Sequence, residues 1–134
     1  MAFILVAEDS SELREVYQRH LENAGHRVIT ASNGLDALVA TLQFIPDLIL
    51  MDLEMPQMDG LQALTCLKTD PRYHSVRHIP VVLLTSHALP SEIHAGFQAG
   101  CEAYIIKPLD PREILEELAL LLHSGEFSLP SPPL

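Results

Sequence analysis

The run Leu48-Ile49-Leu50-Met51-Asp52 decides the fold: four consecutive apolar side chains closed by one acid. Pro46 stands just before it, and a loop rich in Met and Pro follows, reaching Asp59-Gly60. A strand with one wet face alternates apolar and polar residues. One covered on both faces is apolar throughout, as in parallel sheets flanked by helices. Four further runs share this character: Phe3-Ile4-Leu5-Val6-Ala7, Val28-Ile29-Thr30-Ala31, Val81-Val82-Leu83-Leu84 and Ala103-Tyr104-Ile105-Ile106.

Helical spacing fills the intervals. Leu13, Val16, Tyr17, Leu21 and Ala24 recur at threes and fours after Ser10-Ser11, and Gly25 is placed to end that helix. Asn33, with Asp36 three residues on, predicts the N-cap of a second helix whose apolar stripe is Leu35, Leu38, Val39 and Leu42. A third carries Leu61, Leu64 and Leu67, and residues 70–80 read as a polar connection. Pro90 opens a fourth helix that runs to about Ala99 and stops at Gly100. The fifth has Asp110 as N-cap, Pro111 at its first position and Glu113 closing a capping box. Its buried stripe is Ile114, Leu115, Leu118, Leu121 and Leu122.

Five strands alternating with five helices predict an α/β fold: a single doubly wound five-stranded parallel sheet in the common order 2-1-3-4-5. One domain is expected over residues 1–123. Residues 124–134, rich in Ser, Gly and Pro, are expected to form a flexible tail or severed linker.

Composition narrows the function. The 134 residues include 18 Asp and Glu against 8 Lys and Arg, a formal net charge of -10. Such a surface repels a phosphate backbone, so direct nucleic-acid binding is not expected. No apolar run approaches the length that crosses a bilayer. The first run stops at Glu8-Asp9 without a basic leader, so no signal peptide is expected. Cys66 and Cys101 form no CxxC and suggest free thiols in a reducing compartment, with the cytoplasm as the expected location. His74 and His78 are four apart but bracketed by Pro71 and Pro80 with no third ligand close by, and read as loop histidines.

The polar residues that interrupt the apolar runs do so at carboxyl ends: Glu8-Asp9 after the first, Asp52 after the third, Thr85-Ser86 after the fourth, Lys107 after the fifth. Each taken singly could be a helix cap or a loop residue. Together they fall where open parallel sheets bind ligands, beyond the carboxyl ends near the point where strand order reverses. In the order 2-1-3-4-5 that point lies between strands one and three, which would join Glu8, Asp9 and Asp52. Converging carboxylates repel, and a hard divalent cation such as Mg²⁺ relieves the repulsion. A carboxylate beside Mg²⁺, a lysine and a hydroxyl is equipment for accepting a phosphoryl group. Asp52, on the central strand, is the expected nucleophile.

The segment from Leu48 through Met51-Asp52-Leu53-Glu54-Met55-Pro56 to Asp59-Gly60 resembles the phosphoacceptor segment of bacterial two-component response-regulator receiver domains, the CheY-like family. Glu8-Asp9, Leu84-Thr85-Ser86, Tyr104-Ile105-Ile106-Lys107-Pro108 and Ala31-Ser32-Asn33-Gly34-Leu35-Asp36-Ala37-Leu38 match further signatures, in order, over residues 3 to about 122. The resemblance implies a flavodoxin-like fold and a phosphorelay role. Asp52 would take a phosphoryl group from a histidine kinase or phosphotransfer protein and so switch the binding of a downstream protein target. It also implies that Mg²⁺ is held by Glu8, Asp9, Asp52 and the backbone carbonyl of Glu54. Lys107 would pair with the phosphoryl group, while Thr85 and Tyr104 act as the switch. Glu8 stands where Asp is frequent in the family, and Ser86 where Ala is usual.

Two other readings compete. An Mg²⁺-dependent phosphatase or phosphotransferase would place its paired acids on an early strand and carry a substrate cap. A flavin carrier of similar topology needs a phosphate-cradling loop after the first strand, where Glu8-Asp9 would repel the phosphate. The receiver reading is the one expected, a signalling domain acting on itself rather than an enzyme in turnover.

Overall fold

The computed structural model describes residues 1–86, 89–107 and 111–123, the side chains at 111, 115, 122 and 123 excepted. The elements run β1 (Phe3–Ala7), α1 (Ser11–Asn23), β2 (Arg27–Ala31), α2 (Gly34–Phe44), β3 (Leu48–Asp52), α3 (Gly60–Thr69), a 3-10 segment (Pro71–Val76), β4 (Val81–Thr85), α4 (Pro90–Ala99), β5 (Ala103–Ile106) and α5 (Pro111–His123). The sheet is parallel throughout, in the order β2-β1-β3-β4-β5. The sheet and its order are those the sequence predicts.

Alternate residues of each strand feed opposite cores, which is why the runs are continuously apolar. Leu5, Ile49, Met51, Val81 and Leu83 pack with Ala37, Leu38, Leu64 and Leu67 of α2 and α3 on one face. Ile4, Val6, Leu48, Leu50, Val82 and Leu84 pack with Tyr17, Leu21, Ile114 and Leu118 of α1 and α5 on the other. The register aligns Ala7 with Met51 and Asp52 with Leu84, so the carboxyl ends of β1, β3 and β4 form one rim.

Two expectations are corrected. The stripe assigned to α2 is not its buried face: Leu35, Val39 and Leu42 are exposed, and Ala37, Leu38 and Thr41 pack inward. Asp36 is the only charged residue of α2, so its sequence carries no polar face from which to choose the buried one. Residues 70–80 are not merely a polar connection. Asp70 accepts from Arg72 N at 2.9 Å and caps the 3-10 segment, which starts at Pro71 and buries Tyr73 and Val76, with Ile79 following. Among the described residues the segment is a sixth helical element beside the five α-helices.

Among the described residues no helix is long and apolar enough to cross a membrane. The predicted N-cap Asp110 and the tail at 124–134 lie outside the described residues.

Candidate functional site

The site grows from the ends of β1 and β3. Hydrogen bonding between the strands holds their last residues side by side, so side chains just beyond them converge. Oxygens of Glu8, Asp9 and Asp52 all lie within 4.8 Å of one another. Glu8 and Asp52 are buried, while Asp9 is exposed at the rim. Carboxylates are seldom buried without partners, and these are partnered across the sheet. Lys107, entering after β5, donates from Nζ to Glu8 Oε1 at 3.1 Å and to Asp52 Oδ2 at 3.2 Å.

Electrostatics follow from this crowding. Burial, reinforced by the charge of Asp52, pushes the Glu8 carboxyl up to about 7, against the opposing pull of the Ser10 amide and Lys107. Burial works to lower the Lys107 ammonium, but the facing Asp52 and Glu8 outweigh it and hold its pKa above the ordinary lysine value. At neutral pH the site therefore holds one firm cation between acids that repel one another.

The β3–α3 loop is shaped to bring backbone to the acid. The Glu54 amide donates to Asp52 Oδ1 at 3.3 Å. Gly60 packs so closely that a Cβ there would sit 2.4 Å from the Asp52 carbonyl oxygen. Asp59 caps α3 in a reciprocal box with Gln62, fixing where the loop ends. Gly34 on α2 donates to the Met58 carbonyl at 3.0 Å, tying the loop to a second helix.

Thr85, fully buried, ends β4 beside this rim, paired in register with Ile106. Tyr104, half-buried on β5, packs its ring against Gly96, where a Cβ would meet Tyr104 Cε2 at 2.9 Å, and against Phe97 with centroids 6.5 Å apart. Its hydroxyl is shielded from water. It closes no hydrogen bond of good geometry, although Thr85 lies near enough to act on it. Burial pushes the Tyr104 phenol up, and the nearby Glu92 charge adds to this.

The structure thus brings together Glu8, Asp9, Asp52 and Lys107, places the Glu54 backbone against Asp52, and sets Thr85 and Tyr104 along the adjoining edge. Sequence reasoning missed three supports. Arg14 Nη1 donates to the Glu8 carbonyl at 2.8 Å from the first turns of α1. The Ser10 amide donates to Glu8 Oε2 at 3.1 Å. Ser86 Oγ donates to Glu54 Oε1 at 2.8 Å, so the hydroxyl that departs from the commoner Ala orients a site residue. The one available signal for Arg14 was its position six residues after the strand-end acid Glu8, early in the helix that follows. The others rest on rotamers that residue spacing does not encode.

Among the described residues Glu8, Asp9 and Asp52 are the one cluster of three suited to a metal ion, and His74 and His78 belong to none. The donor set is entirely carboxylate oxygen, which fits a hard divalent cation such as Mg²⁺ and not a soft one.

A model of the family described as the response regulator receiver domain matches residues 4–119. The chain is 35% identical over 115 residues to the polar-differentiation response regulator DivK of Brucella anthropi, covering 86% of this chain and 91% of that protein. Among solved structures, the chemotaxis protein CheY4 of Vibrio cholerae superposes with a TM-score of 0.81 at 28% identity, over 90% of this chain and 98% of that one. The receiver domain of the Francisella response regulator 1452 gives a TM-score of 0.83, covering 94% of this chain and 100% of that one. At 24% identity this last likeness concerns the fold alone.

Proposed function

The chain belongs to the response regulator receiver family, the signalling domains of two-component systems, and from that premise we propose that Asp52 is its phosphoacceptor. The observation that carries the reading is the meeting of three carboxylates within 4.8 Å, two of them bridged by Lys107.

The donor is a phosphohistidine on a kinase or phosphotransfer protein. A carboxylate oxygen of Asp52 attacks the phosphorus, the P–N bond breaks, and the leaving imidazole keeps the electron pair and takes up a proton. The fit of the carboxylate cluster supports Mg²⁺ as cofactor, with Glu8, Asp9, Asp52 and the Glu54 carbonyl as the residues that would hold it. When bound, it neutralises charge on the transferring phosphoryl oxygens. Lys107 supplies the second positive charge. Its ammonium already lies 3.2 Å from Asp52 Oδ2 and has only to pivot from the carboxylate to a phosphoryl oxygen. Arg14 and the Ser10 amide keep Glu8 in place while this happens.

Thr85, whose hydroxyl ends β4, donates to the new phosphoryl group, and Tyr104 responds along β5. A local charge event of this kind biases a bistable element and so changes the surface that a protein target reads. The chain acts on itself rather than turning over substrates, and it works in the cytoplasm, where Cys66 and Cys101 stay reduced.

Incubation with a small phosphodonor and Mg²⁺ should add one phosphoryl group, about 80 Da, to the intact chain. Asp52→Asn should abolish the gain, and alkaline denaturation should remove it, as for an acyl phosphate. A stable adduct on another residue, or rapid turnover of many phosphomonoesters, would refute the assignment.

A further inference from the structure

Beside the phosphoacceptor site, between the β3–α3 loop and the first turns of α4, lies an open groove of about 690 Å³. Its wall is apolar: Leu53, Met55, Pro56, Leu61 and Ala95 line it. Apart from Ser91 its polar residues are of one sign, with Asp9, Glu54, Asp59 and Glu92 all bordering it and no cation among the described lining residues. One of these acids is poorly served by the fold, since Glu92 Oε1 is shielded from water and has no hydrogen-bond partner. A buried carboxylate oxygen without a partner costs free energy that an incoming donor would recover.

We propose that this groove docks a cationic segment of a partner protein, one apolar side chain entering between Met55, Leu61 and Ala95 while flanking Lys or Arg residues pair with Glu92 and Glu54. The assignment names the chemistry of a partner for the signalling role inferred above and rests on that role, but the groove itself requires no phosphoryl group. Charge complementarity chooses the occupant. A second copy of a chain with net charge -10 would bring carboxylate against carboxylate, and so would an acidic peptide. A purely apolar ligand would leave Glu92 Oε1 unpaired and bury further acids. A segment with cations around an apolar anchor meets both features of the groove, and electrostatic attraction speeds its encounter.

The test uses a fluorescein-labelled synthetic peptide, Leu and Ile at its centre with Lys and Arg on both sides, titrated with the full chain in Mg²⁺ and read by anisotropy. Glu92→Lys and Ala95→Gln, the second filling the groove without altering charge, should each weaken binding by about tenfold or more. Glu15→Lys, a surface charge reversal on α1, should weaken it by less than about threefold. A peptide with Ser in place of Leu and Ile should bind at least about tenfold more weakly. Equal losses from Glu92→Lys and Glu15→Lys, or equal binding of the Ser peptide, would show attraction by bulk charge alone and overturn the proposal. Amide shifts confined to residues 53–61 and 91–95 would support it, whereas shifts centred elsewhere would refute it. Asp52→Asn separates the two readings. Binding by this variant tests the groove, while phosphoryl gain by Glu92→Lys tests Asp52, and either can fail without the other.

Discussion

At Lys107 a single side chain decides whether the rim is tolerable. The side chain is 15% exposed, and its ammonium lies between the carboxylates of Glu8 and Asp52, whose side chains are 1% and 4% exposed. Breaking a buried pair from one side strands the other charge, and here two would be stranded. Lys107→Met should therefore destabilise the protein by about 3–5 kcal/mol, seen as a lowered urea midpoint. Removing an acid should do the reverse. In metal-free buffer Asp52→Asn deletes one repelling charge and leaves the Lys107–Glu8 bond in place, so its midpoint should rise, by on the order of 1 kcal/mol. Opposite signs for two substitutions at atoms 3.2 Å apart would be hard to produce by loss of packing. If both variants are destabilised alike, the crowding of like charges is not what limits this rim.

At the scale of the elements, sequence and structure agree where one residue type has one physical meaning. Asn33 caps α2, accepting the Asp36 amide at 2.8 Å, Pro90 opens α4, and Gly100 closes it at φ +106°. The acids at the ends of β1 and β3 were legible because strand ends in a parallel sheet share one edge. The inward face of α2 was not legible, since nearly every residue of that helix is apolar. Nor was the helical character of residues 71–76, whose short pattern mixes Tyr73 and Val76 with Arg72, His74 and Ser75. Pro46, just beyond α2, marks in the sequence where that helix stops, but not how it is capped. Ile45 caps it at φ 49° and ψ 66°, left-handed backbone that a β-branched residue adopts only under strain. The residue is 58% exposed, so little packing holds it there. Relief of the strain exceeds the entropy that glycine adds to the unfolded chain, so Ile45→Gly should stabilise the fold by about 0.5–1 kcal/mol. Thermal and urea midpoints would show it, and a lowered midpoint would mean that Ile45 packs more firmly than its exposure indicates.

For the whole molecule the governing quantity is the net charge of -10, part spread over the surface and part concentrated at one rim. Salt tells the two apart. Raising NaCl from about 10 to 150 mM shortens the screening length from about 30 to 8 Å, which weakens repulsion between scattered surface acids. Carboxylates within 4.8 Å of one another, two of them buried, lie inside that length and are screened little. NaCl should therefore raise the unfolding midpoint of the wild-type protein and of Asp52→Asn by nearly equal amounts. A divalent cation held by the cluster acts differently, because it stabilises in proportion to occupancy of the folded state. MgCl₂ at matched ionic strength should raise the wild-type midpoint beyond the NaCl value and leave Asp52→Asn close to it. Equal effects of the two salts on the wild-type protein would mean that the rim holds no metal, and that Lys107 alone balances the acids.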